Sequence, residues 1–399
     1  MRPTLALVAA LLAAAAVNGW SAQSYELEMI QLAAPAISYA GLNWTPEKPD
    51  GVKGLPKFTT GPAMFAYLRV GDSEPRLMVA GSVGDRGGKT GVTVYIDSNG
   101  NGSLAGERAY PITTVTLVGK MSALATDEIV LPTRYHVAGQ DDITGEFRFR
   151  LVGRMGDVDL TALSEDPIGE YPYQLCVEYG HSAVVDLGGE QVRLTLVENS
   201  ADGKISTEGM YGQDRVIVSE DLSAAPRLGD DPPLGKYLEY RGKYYELQAR
   251  PDGGEIVIAD YTGKLARVTL AASDGAGQPA DVTRIAAFSE SAMQDRKDPG
   301  GELVLLPGKY MFAYIIGEGD PDKHAFVFQA TEETEVKGGE TLELVCGGPV
   351  TLKVTATPGE AEDKDPVVTV DIEAKNAAGH TFNEAGREGA PGKVEVLNK

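Results

Sequence analysis

Every second side chain is apolar in Glu146-Phe147-Arg148-Phe149-Arg150-Leu151, and this period of two is the pattern of a strand with one face buried and one face wet. Val350-Thr351-Leu352-Lys353-Val354-Thr355-Ala356 and residues 368–374 repeat it. Between such runs stand turn signals: Asp186-Leu187-Gly188-Gly189, Arg241-Gly242-Lys243, Pro251-Asp252-Gly253-Gly254 and Lys337-Gly338-Gly339. Glycine is frequent there because tight reversals need positive backbone dihedrals. Residues 237–240, 244–249 and 255–260, with short turns between them, predict a three-stranded meander. No comparably long helical period follows residue 22. The stretch 281–297 admits a short helix, against which Thr283, Ile285 and the nearby glycines count. The expected class is all-β and multi-domain, built of antiparallel sheets and sandwiches.

Composition shifts suggest the layout. Residues 1–22 read as an export signal: Arg2, then an almost unbroken Leu/Ala/Val run over 5–17, then small residues. Cleavage is expected near Ala22, with Ala16 or Gly19 as alternatives because Trp20 fits poorly. Nothing later is apolar enough for a membrane span, and no cysteine near the signal offers a lipid anchor. Residues 23–62 are expected to be an irregular N-terminal segment, since 33–62 are rich in proline and glycine. A β unit over 63–145 and another over 146–222 follow. The polar, proline-rich run from Ser223 to Pro233 opens a linker and meander over 223–271, and 272–399 reads as a second linker and a β-sandwich-like domain.

The formal charge is −22, or −23 once Arg2 is removed with the signal. Such a surface repels phosphate backbones and anionic lipid and concentrates cations, which excludes nucleic acid as the expected partner. Cys176 and Cys346 each lie inside an apolar run. Export would permit them to oxidise, but the expectation is two separate buried thiols.

One constellation carries chemistry. Asp97-Ser98-Asn99-Gly100-Asn101-Gly102 places oxygen side chains at alternate positions and closes on a glycine, directly after an apolar strand-like run. An imperfect copy, Glu198-Asn199-Ser200-Ala201-Asp202-Gly203, follows another such run. Aligning Asp97 with Glu198 places Leu104 on Ile205 and Glu107 on Glu208, so 63–145 and 146–222 read as related units. Alternating oxygens at positions one, three and five, a glycine at six and a backbone carbonyl at seven are what a hard cation needs. The first set is Asp97, Asn99, Asn101 and the Ser103 carbonyl, and the second is Glu198, Ser200, Asp202 and the Lys204 carbonyl. Leu104 and Ile205 at position eight are suited to anchor each loop in a core.

In this pattern the loops resemble EF-hand-like calcium loops, especially the dockerin-type loops of exported bacterial proteins. The resemblance covers about a dozen residues at each site and implies weakly held structural calcium, with Kd on the order of 10⁻⁴ to 10⁻³ M as in extracellular modules. The acid expected at position twelve is replaced by Arg108 and Gly209. Glu107 and Glu208, one place earlier, are the candidate completing acids. The competing reading is that Asn99-Gly100-Asn101-Gly102 is only a tight hairpin turn. The loop style and simple signal together suggest a bacterial cell envelope, periplasmic or secreted protein. Asn43 and Asn101 begin glycosylation sequons that matter only in a host that uses them.

Gly84-Asp85-Arg86-Gly87-Gly88-Lys89-Thr90 ends like a phosphate loop, but the required first glycine is Val83, and a hairpin connection is the better reading. His136, His181, His324 and His380 lack zinc-type spacing, and Tyr179-Gly180-His181-Ser182 reads as a turn cap more readily than as a catalytic pair. From the Pro-Gly-x-Tyr run at 307–310 onward, the chain resembles the small sandwich modules appended to many secreted bacterial proteins. The leading expectation is an exported, non-enzymatic protein with two structural calcium loops. Two others are kept: an extracellular hydrolase whose residues meet only in the fold, and an adhesin for a cell-surface protein or polysaccharide, read on Trp44 and the tyrosines 237, 240, 244 and 245.

Overall fold

A computed structural model describes residues 22–383 apart from 38–41, 59, 85–89, 138, 140, 156–172, 201, 208–213, 230–231, 273–281, 290–292, 298–299, 317–325, 330–332, 347–350, 359–367 and 376–380. The fold is all-β, as the alternation requires; among the described residues, apart from one short 3-10 turn at Val118–Lys120, the regular elements are strands. No helix among the described residues is long and apolar enough to cross a membrane. The chain divides into two compact units, Met1–Tyr261 and Thr262–Lys399.

The first unit contains β1 (Gln23–Glu26), β2 (Glu28–Ile37), β3 (Thr60–Leu68), β4 (Arg76–Gly84), β5 (Thr90–Ile96), β6 (Ala109–Pro111), β7 (Thr113–Leu117), β8 (Met121–Ala125), β9 (Ile129–Tyr135), β10 (Ile143–Met155), β11 (Gln174–Leu187), β12 (Glu190–Val197), β13 (Arg215–Ser219), β14 (Tyr237–Tyr240), β15 (Lys243–Ala249) and β16 (Glu255–Asp260). They form a β3-β4-β5-β6 sheet, a β1-β16-β15-β14 sheet, and a larger sheet ordered β13-β12-β11-β10-β8-β7, with β2 joining β11 and β9 joining β10. The expected meander is β14 to β16, with β1 added at its edge.

Alternation places the cores. Phe147, Phe149 and Leu151 turn inward and pack with Met78, Val94 and Ile96 of the first sheet, while Arg150 on the other face pairs with Glu178 at 2.7 Å. A second cluster joins Val192, Leu194 and Leu196 to Leu247, Ile256 and Ile258 of the meander. Gly84 pairs with Thr90 across β4 and β5, so the phosphate-loop look-alike joins two antiparallel strands; its residues 85–89 lie outside the described set.

Residues 23–37, expected within an irregular segment, instead form β1 and β2. Proline explains the error and its resolution. The register of β2 on β11 slips between Val177, opposite Ala36, and Tyr179, opposite Gln31, so Pro35 sits in a bulge where the ladder does not need its missing N–H.

The second unit contains β17 (Ala266–Ala272), β18 (Val282–Phe288), β19 (Met293–Lys297), β20 (Glu302–Leu305), β21 (Gly308–Ile316), β22 (Phe326–Gln329), β23 (Thr334–Val336), β24 (Thr341–Cys346), β25 (Thr351–Pro358), β26 (Val368–Lys375) and β27 (Thr381–Asn383). The β20-β17-β24 sheet and the larger sheet around β18 and β21 share one core, in which Val268, Leu305 and Leu344 meet Ile285, Phe312 and Tyr314. The described residues of the 281–297 stretch form the antiparallel β18–β19 pair and not a helix; Ile285 and Ala287 point into this core and leave Arg284 and Ala286 on the other face. All but the last residue of β17 falls within 223–271 by sequence, but the strand pairs inside this unit.

Cys176 and Cys346 are free and buried, in different units. Burial pushes each thiol up to about 12, which keeps both protonated and unreactive at neutral pH. Hydrophobic packing must then hold the second unit together. Phe312 is fully buried, and Phe312→Ala is expected to lower that unit's stability by about 3–5 kcal/mol in chemical denaturation.

Candidate cation-binding loops

Both loops begin one residue past a strand, Asp97 after β5 and Glu198 after β12. Asp97 Oδ1 accepts the N–H of Asn101 at 3.0 Å, and Oδ2 accepts that of Gly102 at 2.8 Å. Glu198 Oε1 accepts the corresponding N–H groups, of Asp202 at 3.0 Å and Gly203 at 3.3 Å. The side chain at position five repeats the correspondence: Asn101 Oδ1 accepts from Ser103 N at 2.8 Å, and Asp202 Oδ1 from Lys204 N at 2.9 Å. Position-six glycines adopt φ of +73° at Gly102 and +68° at Gly203, the left-handed region that the turn demands.

Position eight docks each loop. Leu104 is buried with Phe65, Leu77 and Val79, and its N–H donates to the Lys53 carbonyl. Ile205 is buried in the cluster shared with the meander, and its N–H donates to the Pro251 carbonyl. The second loop is held further by Gly71 N donating to the Asp202 carbonyl at 2.7 Å, Tyr135 Oη donating to the Gly203 carbonyl at 2.5 Å, and Lys204 pairing with Asp72 at 3.3 Å.

The two-residue hairpin reading fails on register. β5 rejoins its neighbour β6 only at Tyr95 opposite Ala109, so the chain makes a long excursion between them. Extending that ladder places Asp97 opposite Glu107. Extending the β12–β13 ladder, in which Val197 faces Arg215, places Glu198 opposite Asp214. Each loop therefore opens and closes on an acid. Sequence alignment matched Glu107 to Glu208, but the counterpart by register is Asp214, because the second return is six residues longer (97 to 107 against 198 to 214). Glu208 lies outside the described residues. Spacing within the loop carries no sign of Asp214; the start of β13, if recognised, would have pointed to it.

The closing acids are used differently. Glu107 accepts from the Ser98 hydroxyl at 2.7 Å and the Asn99 amide at 3.0 Å, while Asn99 Oδ1 accepts from Asn101 N at 3.1 Å. Asp214 accepts from Asn199 N, Ser200 N and Ser206 N at 2.9 to 3.2 Å. Electrostatic surroundings differ as well. The Arg76 guanidinium lies against Gly100 in the first loop. In the second, Glu198 and Asp214 are 7 % and 2 % exposed. Burial first, and for Glu198 the facing Asp214 next, raises both carboxyls above their ordinary range. Among the described residues no group of three or more His, Cys, Asp or Glu is gathered as a metal cluster.

The remaining candidates have other work. Ser182 donates to the Leu194 carbonyl and accepts from Thr195, while His181, its neighbour in β11, points to the opposite face, against Gly253. Tyr240 and Tyr245 share the core face of the meander, Tyr237 and Tyr244 take the other, and Trp44 packs edge-on against Tyr173. An open surface depression of about 240 Å³ lies beside Tyr25, Asp186, Tyr245 and Asp260, and Asp186 there accepts from Gly189 N to close its own turn.

Gly102→Ala meets open space, so only the positive φ opposes it, at about 1–2 kcal/mol. At Gly203 a Cβ would also lie 2.9 Å from the Phe147 ring and 3.0 Å from Val70, and overpacking adds about 1–3 kcal/mol. Thermal melts in chelator should therefore rank Gly203→Ala well below Gly102→Ala. Burial lowers the His181 imidazole below its ordinary value, opposed by Asp252 and assisted by Arg250. The unfolded chain then takes up a proton near pH 6.5 that the folded ring refuses, so this contribution to stability is lost as pH falls below about 6.5. Denaturation at pH 7.5 and pH 5 should show a smaller acid loss for His181→Gln than for the wild type.

Comparison with known proteins finds no matching family model, curated protein or solved structure, so the chemistry of the two loops rests on their own geometry.

Proposed function

We propose that this is an exported, non-enzymatic β-protein of the bacterial cell envelope or exterior, whose first unit is stabilised by calcium held in both loops. One observation carries the reading: position-one acids, position-five oxygens, position-six glycines and docked position-eight residues recur in the same hydrogen-bonded arrangement in two loops of different sequence. The position-one acids also fix the turn, but a reversal does not call for oxygens at alternate positions, whereas a hard cation does. In the first loop Asp97, Asn99, Asn101 and the Ser103 carbonyl supply ligands, and Glu107 stands as the closing acid. In the second, Glu198, Ser200, Asp202 and the Lys204 carbonyl do so. An acidic chain concentrates the cation around itself. Calcium binding the folded form alone stabilises it by mass action, and a structural role follows from that preference.

At free calcium 10 to 100 times Kd, each loop gains about 1.4–2.7 kcal/mol. Asp97→Asn keeps an oxygen for the two backbone amides while removing the charge. Its melting temperature is expected to fall below that of the wild type in millimolar calcium and to match it closely in excess chelator. Equal losses in both conditions would refute the liganding role of Asp97.

A further inference from the structure

We propose that Asp214 is the closing ligand of the second loop, completing with Glu198, Ser200 and Asp202 a calcium site that fills before the first loop does. This rests on the calcium reading of the loops and goes beyond it by naming the missing acid and the order of filling.

Extended by one residue past Val197 opposite Arg215, the β12–β13 register brings Asp214 across from Glu198, where like charges destabilise a strand pair. Both are buried, and among the described residues neither has a lysine, arginine or histidine within ion-pairing distance; Lys204, within the loop itself, is paired with Asp72. Glu198 Oε2 is buried and has no hydrogen-bond partner. The Ser200 hydroxyl lies 2.7 Å from Glu198 Oε1 and 2.7 Å from Asp202 Oδ1, yet it has one hydrogen and satisfies only one of the two. Buried acids without counter-charge, an orphaned carboxylate oxygen and an over-shared hydroxyl share one remedy, a cation among them. Donors that are all oxygen, part charged and part neutral, suit calcium better than magnesium, which demands near-ideal octahedral geometry.

The first loop lacks this demand. Both oxygens of Glu107 already accept from Ser98 and Asn99, and the Arg76 guanidinium supplies positive charge at Gly100. Filling should start where the electrostatic need is greater.

Calorimetric titration of calcium into the chelator-stripped full chain tests this, with melting temperatures in calcium and in excess chelator read alongside. The wild type is expected to bind two ions. Asp214→Asn and Glu198→Gln should each weaken the tighter event at least tenfold, and Asp97→Asn only the weaker one. In chelator Asp214→Asn should melt no lower than the wild type, since it removes half of a repelling pair. A purely structural Asp214, serving only its three N–H donors, would instead lower the melting temperature equally in both conditions and leave the calcium-induced shift intact, which overturns the proposal. Should the asparagine variant not fold, Asp214→Ser, which keeps an acceptor oxygen, is read in the same way. A tighter event lost in Glu198→Gln but retained in Asp214→Asn would overturn Asp214 as a ligand and leave the calcium reading standing. Loss of the tighter event in Asp97→Asn overturns the order of filling. No calcium heat and no calcium-induced shift in the wild type overturns both readings.

Discussion

A carboxylate one residue past the end of a strand, gathering the N–H groups four and five residues ahead, is the interaction on which both loops depend. A chain leaving a sheet carries amides that no longer have a ladder partner. Asp97 and Glu198 satisfy two each, and bonds of this charged kind are stronger than neutral ones. That closes the turn over the position-six glycine and aims the next apolar residue, Leu104 or Ile205, back into a core. Without the acid there is neither a fixed turn nor a docked residue eight. A glutamate does this at Glu198 as well as an aspartate does at Asp97, because only one of its oxygens, Oε1, takes both amides. The other is left without a partner.

The second loop is also a crossing point. Its backbone bonds to the β3–β4 turn through Gly71, to the end of β9 through Tyr135 and to the β15–β16 turn through Pro251. Three sheets thus touch one short segment that carries buried negative charge. Whatever neutralises that charge stabilises all three attachments together, since the loop cannot shift to relieve its own repulsion without breaking them.

Much of the sheet architecture could be read from the residues, because half-buried strands write their burial as alternation. Phe147, Phe149 and Leu151 face the core as the pattern requires, and the meander strands fall close to where the turns placed them. Reading failed where pairing is long-range. Nothing local in Pro35 announces a bulge opposite Val177 and Tyr179, and Ile285 and Ala287 alternate over too few residues to defeat a helix on pattern alone. For the loops, positions one to eight were legible because one turn holds them. The closing acid was not: Glu107 looked like a partner for Glu208 by count, yet strand register pairs Glu107 in kind with Asp214, and register is a property of two strands.

Absence of a disulfide sharpens the role of the loops. Both cysteines are buried thiols, so no covalent link joins distant parts of the first unit. Residues 71, 135, 202–205 and 251 lie far apart in the chain but meet at the second loop through hydrogen bonds and the packing of Ile205, with no covalent link. A disulfide at such a crossing would act largely on the unfolded chain by restricting it. A bound cation acts on the folded state, because the oxygens converge only there, and its effect scales with the free ion outside. For an acidic chain, calcium at Glu198 and Asp214 would make the strength of the crossing depend on the surrounding medium, slack where the ion is scarce and firm where it is abundant.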